Sequence, residues 1–201
     1  MHVLKAQNKP WRCVKSSDGV FVFSRKSDSS GIKIIKVETR IKTSLSALVA
    51  VVKDASNHNK WVYLNKDAKI IRSSSPFSWD YYGQTNAPWP VTDRDIVVHG
   101  SLHQDSVTKV IHINARTESG YIPLKKGFVR IPFAVSQWIF VPEDSGYVHV
   151  EFKVEINLGG NIPKWLMNLT ASRGPYETIC QFKELTKTNK YQHIHLSYIH
   201  E

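Results

Sequence analysis

Cysteine is nearly absent. Cys13 and Cys180 are the only two in 201 residues, so at most one disulfide can form, and no Cys-x-x-Cys arrangement exists. Buried free thiols are the expectation for such a pair. No stretch approaches the roughly 20 apolar residues that span a bilayer, and residues 1–11 lack the apolar core of a secretory signal. A soluble chain is expected, cytoplasmic or, with a leader removed, exported. Also missing are a G-x-S-x-G elbow, a phosphate-binding loop, a dinucleotide fingerprint and an H-E-x-x-H pair. Their absence removes several common catalytic and nucleotide-binding mechanisms, and no cofactor is implied.

Acidic residues are fewer than basic ones, 17 against 27, for a formal charge of +10. An anionic partner, nucleic acid or a membrane surface, is one reading of that excess. Yet no basic run is longer than Lys125-Lys126, and solubility accounts for scattered charge at least as well. Nucleic acid is not expected, since base stacking needs a basic face interleaved with exposed aromatics. Among nine histidines the closest pair is His193-x-His195, with no acidic or cysteine neighbour to complete a metal site. Histidines 99, 103, 112 and 149 read as structural.

A chain of this size buries roughly 70% of its unfolded surface, and no repeat or linker divides it, so one domain over residues 1–201 is expected. Asp18-Gly19 is a turn signal before an apolar strand at 20–23, and a second strand at 32–41 completes an opening hairpin. Ser44 is placed as the N-cap of an amphipathic helix running to about residue 57 on Leu45, Leu48, Val49 and Val52. Strands follow at 68–72, 79–85, 95–102, 109–117, 128–141 and 147–156, with short connections that favour an antiparallel meander. Residues 118–127 form the one loop long enough to act as a lid. A helix is predicted over 163–187, with an apolar face of Leu166, Leu169, Tyr176, Ile179 and Cys180 and a kink at Gly174-Pro175. Residues 188–201 read as a polar, histidine-rich extension. The class is α+β.

The most informative stretch is 86–100, NAPWPVTDRDIVVHG. Pro88 and Pro90 bracket Trp89 and set the direction of the chain. Asp93-Arg94-Asp95 then opens an aliphatic strand in which Arg94, Ile96 and Val98 share one face and Asp95, Val97 and His99 the other. An arginine between two aspartates suggests an ion pair rather than a proton-transfer group. This motif, together with GGNIPKWLMN at 159–168 and the Asp18-Gly19-Val20 opening, resembles the START domains, lipid-transfer modules of the Bet v 1-like, helix-grip superfamily. The resemblance spans almost the whole chain.

What the resemblance implies is a helix-grip fold, a curved antiparallel sheet wrapped around a long C-terminal helix with an elongated apolar cavity between them. It implies binding and transfer of a lipid or other hydrophobic small molecule, with transient membrane contact. A polyketide cyclase or aromatase on the same scaffold is the alternative. Sterol-carrying animal members have a further arginine deep in the strand, and the matching position here is Gly100. The candidate ligand-binding residues are Trp79, Tyr81, Arg94, Ile96, Val98, Arg116, Arg130, Trp138, Leu166, Leu169, Arg173 and Tyr176: apolar walls with a few polar anchors. Gln137 is a further polar candidate. Trp89 and Trp165 are counted with the interior aromatics.

Overall fold

The structure, a computed structural model, describes residues 10–28, 32–118, 120 and 122–201, without the side chains at 164, 166 and 168–172. Residues 29–31, between the two strands of the predicted opening hairpin, lie outside the described residues. The chain opens with three antiparallel strands, β1 (Arg12–Ser17), β2 (Val20–Lys26) and β3 (Lys33–Lys42), rather than a two-stranded hairpin. β1 escaped the sequence reading because it is an exposed edge strand with no apolar alternation. That exposure also corrects the expectation of two buried thiols: Cys13 is exposed, Cys180 is half-buried, and both are free.

Helix α1 (Leu45–Lys53) is followed by a separate 3₁₀ segment, Ala55–Lys60. The predicted single helix is thus broken at Asp54, whose carboxylate takes bonds from Ser56, Asn57 and Tyr191. Strands β4 (Asn65–Ser75), β5 (Ser78–Thr85), β6 (Asp93–Gln104) and β7 (Ile111–Thr117) then form an antiparallel meander. The predicted strand at 128–141 is two strands. β8 (Phe128–Arg130) pairs in parallel with the start of β6, whereas β9 (Phe133–Pro142) pairs antiparallel with β7. Pro132 separates them, because proline cannot donate to a ladder. β10 (Tyr147–Asn157) joins β9 to β3, giving the order β1-β2-β3-β10-β9-β7-β6-β5-β4.

Helix α2 (Lys164–Leu185) continues through Gly174-Pro175 and packs against β1, β2 and β3. Ile179 and Phe182 are fully buried beneath the sheet. This is the helix-grip arrangement, a curved and mostly antiparallel sheet around a long C-terminal helix.

The packing is uneven along α2. Near its C-terminal end the space is filled by Phe140, Phe182, Ile111, Val148, Val150 and the buried face of α1. Trp61 closes that filled region, with its ring 5.2 Å from Phe182 and 5.9 Å from Trp138. Beyond Trp61 the same strands continue, but no large side chain of α2 is described under them.

Residues 188–201, expected as a polar extension, belong to the packed body. They hold α3 (Asn189–Gln192), and Tyr191 and Ile199 are almost fully buried. Apolar residues at 191, 194, 196 and 199 carry this packing, a pattern masked in the sequence by the intervening histidines. The Glu201 carboxylate accepts from Leu45 N at 2.7 Å and Ser46 N at 2.9 Å, while Ser44 Oγ accepts from Ala47 N at 3.1 Å. Three of the unpaired amides at the start of α1 are thereby satisfied, and a carboxylate sits at the positive end of the helix. Glu201→Ala is expected to cost about 1 kcal/mol and to lower the melting temperature by roughly 2–4 °C. An unchanged thermal melt would show that this cap contributes nothing.

Candidate functional site

The space left beyond Trp61 is a cavity of about 310 Å³, at the lower end of the range for small-molecule sites. Strand parity builds it. Arg94, Ile96, Val98 and Gly100 face it from β6, Trp79, Tyr81 and Gly83 from β5, Ala115 from β7, Ser136 and Trp138 from β9, and Phe152 and Val154 from β10. Gly174, Pro175 and Thr178 of α2 form the floor, and Asn86, Ala87, Pro88, Leu158 and Ile162 surround one end. Along β6 the wall from Arg94 to Gly100 extends roughly 20 Å at strand rise.

At the inner end, the Trp79 indole lies on Gly100. A Cβ there would sit 2.7 Å from the ring, too close for any side chain unless Trp79 moves. The wall is therefore flat and aromatic where an additional arginine was considered.

At the other end lies Arg94, only 4% exposed. It does not pair with its neighbours in sequence, which corrects the expected ion pair. Asp95 points to the opposite face of the strand, as parity requires, and Asp93 is turned to accept from Ala87 N at 2.9 Å. The Arg94 guanidinium donates only to backbone carbonyls, those of Thr92 and of Gly159, the latter at 3.3 Å. Its Nε has no partner among the described residues. Burial pulls its pKa below the ordinary arginine value, partly opposed by the charge of Asp93.

Trp61 Nε1 and Asn65 Oδ1 are likewise buried without a partner among the described residues, and both belong to the cavity wall. The Tyr81 hydroxyl belongs to the same wall, and burial pushes its pKa up to about 12. A concentration of unpaired polar groups in one apolar wall is unusual, because each costs free energy unless something satisfies it.

The remaining candidates lie elsewhere. Arg130 is on the outer face, where Nε and Nη2 donate to the Asp95 carboxylate at 2.8 and 3.0 Å and Tyr82 adds a bond at 2.9 Å. Arg130 also donates to Ile122 O and Pro123 O, so it fastens the 118–127 loop to β6. No described residue of that loop lines the cavity; its Ser119 and Tyr121 lie outside the described residues. Arg116 and Arg173 are exposed beside Glu118 and Glu177, and Gln137 bonds Asn114 on the outer face. Tyr176 donates to Asp18 at 2.7 Å, tying α2 to the β1–β2 turn. The side chains of Leu166 and Leu169 lie outside the described residues. Trp89 and Trp165, counted among interior aromatics, are 90% and 49% exposed, because each sits on a projecting end: a proline-bounded turn and the first turn of α2.

Sequence reasoning missed Ala115, Ser136 and Thr178, small residues whose effect is to leave room. It also missed His58, which lines the cavity with Nε2 2.9 Å from Val52 O. Burial lowers its pKa, partly offset by that bond. The folded state therefore disfavours its protonation. Its contribution to stability is present above the unfolded histidine pKa, about 6.5, and is lost as pH falls through the lower folded value. Urea unfolding should lose stability between pH 7 and 5, with a slope of up to about 1.4 kcal/mol per pH unit from this group. In His58→Gln that part of the slope should vanish. An identical slope would place His58 outside the acid response.

Comparison with known proteins gives a consistent picture. A family model for the START domain matches residues 9–191. An uncharacterised protein of Pseudomonas aeruginosa is 31% identical over 169 residues, covering 84% of this chain and 83% of its own. Among solved structures, a STAR-related lipid transfer protein fragment from Xanthomonas axonopodis superposes with a TM-score of 0.81 at 29% identity, covering 89% of this chain and 99% of that one. Human StAR-related lipid transfer protein 5 gives a TM-score of 0.80 at 19% identity, over 90% and 88%, which shows a shared fold.

Proposed function

This chain belongs to the START family, a lipid-binding fold, and on that premise we propose that residues 1–201 act as one module that binds a hydrophobic small molecule in the cavity between sheet and helix and carries it between membranes. The observation that supports this most is the cavity itself. Its wall is apolar along β6, β7, β9 and β10, and the described side chains leave it unfilled. An apolar guest gains ~25 cal/mol for each Å² it removes from water.

A carrier fits the placement of polar groups better than an acid–base enzyme such as a cyclase does. Tyr81 pairs with Val98 in the strand register, four positions from Arg94, a separation of roughly 13 Å along the strand. Two groups that far apart do not converge on one reacting atom. Access is at the end bounded by Asn86, Ala87 and Pro88 and by Ile162, where the neighbouring Trp89, Trp165 and Met167 are exposed. Exposed aromatics beside a mouth, on a chain of charge +10, suit transient contact with an anionic membrane. No helix among the described residues is long and apolar enough to cross a membrane.

The test is a cavity block. Nile red, a neutral apolar dye, should bind the wild-type protein with enhanced fluorescence. Ala115→Trp, which puts an indole into the space, should weaken that binding at least about tenfold, with folding checked by circular dichroism. Equal dye binding by a folded Ala115→Trp protein would contradict the cavity as the site.

A further inference from the structure

Buried arginines are ordinarily paired with a carboxylate, because an isolated buried cation is expensive. All 17 acidic residues of the sequence lie within the described residues, and none has an oxygen within 4.0 Å of the Arg94 guanidinium. Asp93, the nearest in sequence, is engaged with Ala87 N, and Asp95 with Arg130 and Tyr82. Two carbonyls take two of the five N–H groups that a guanidinium offers. The charge is held in place on the cavity wall, within the field of Asp93 but with no carboxylate paired to it.

Its position is as informative as its lack of a partner. Arg94 stands at the end of the cavity bounded by the Asn86–Pro88 segment, and the wall from Ile96 through Val98 to Trp79 over Gly100 is apolar. The site is therefore polarised along its length, with one cation among the described residues, at the Asn86–Pro88 end, and, beyond it, mainly apolar surface interrupted by neutral polar groups such as the Tyr81 hydroxyl. Its volume, about 310 Å³, suits a single chain or a compact ring system, not two long chains together.

We infer that the guest is a single-chain amphiphile with one anionic oxygen head, a carboxylate or a phosphate monoester, whose head pairs with Arg94 while its tail lies along β6 toward Trp79. The planar fork of arginine suits either head, since both present two oxygens to parallel N–H groups. The guest supplies the negative charge that the fold withholds. Binding of the tail rests on the carrier reading above; selection of the head does not follow from that reading and is a separate consequence of Arg94.

The experiment uses Nile red bound to the full chain at pH 8 and displaces it with dodecanoate, dodecyl phosphate or dodecanol. At least one of the two anions should displace the dye at concentrations about tenfold or more below those of dodecanol, and the stronger of the two names the head. Arg94→Met should lose that advantage while dodecanol still displaces the dye. Arg94→Lys, which keeps the charge without the fork, should retain part of it and serves if the Met variant does not fold. Equal displacement by all three in the wild type would overturn the anionic head and leave the carrier reading intact. A preference for anions that survives in Arg94→Met would assign the head to another cation and overturn the inference. Failure of all three compounds to displace the dye would contradict the carrier reading itself.

Discussion

The structure depends on the contact at which Trp61 meets Trp138 and Phe182. A strongly curved sheet has more inner surface than one helix can cover, so side chains must fill the rest or leave it empty. Here large apolar groups fill the side toward the end of α2, where Phe140, Ile111, Val148 and Val150 pack with α1. The aromatic cluster seals that packed half. Past it the same strands present Val98, Ala115, Ser136 and Val154 to a space that α2 meets with Gly174, Pro175 and Thr178. Packing and open space are thus divided along the helix: one half is packed as a protein interior should be, and the cavity lies beside the other.

The two faces of β6 divide the charges in the same way. Asp95 turns outward into a closed network with Arg130 and Tyr82 that pins the 118–127 loop, while Arg94, one residue earlier, turns inward and finds only carbonyls. The outer network is structural. The inner arginine has no carboxylate paired to it; two carbonyls partly solvate it, and the proposed guest would complete the pairing.

The alternation along β6 could be read directly: the sequence fixes that Arg94, Ile96 and Val98 share a face, and the same rule forbids the Arg94–Asp95 pair that adjacency suggested. Ser44 as the helix N-cap was legible for the same local reason, and so was the long C-terminal helix. What sequence could not show was where large residues are missing. Ala115 and Ser136 carry no signal of their own, and their role exists only because Trp61 stops short of them. The chain from Thr188 to Glu201 was misjudged because its packing is long-range: Tyr191 and Ile199 fill a site made by α1, and Glu201 reaches back across 156 residues to cap Leu45. The parallel pairing of β8 with β6 is equally non-local, although Pro132 marked the break.

A cavity that admits one guest is the premise of the proposed function. Native mass spectrometry of the delipidated protein, after incubation with vesicles prepared from a total bacterial lipid extract, tests this most directly. One lipid-sized mass adduct per chain, surviving removal of the vesicles, is the predicted result. A chain that stays at its bare mass after contact with every lipid in the extract would contradict the account.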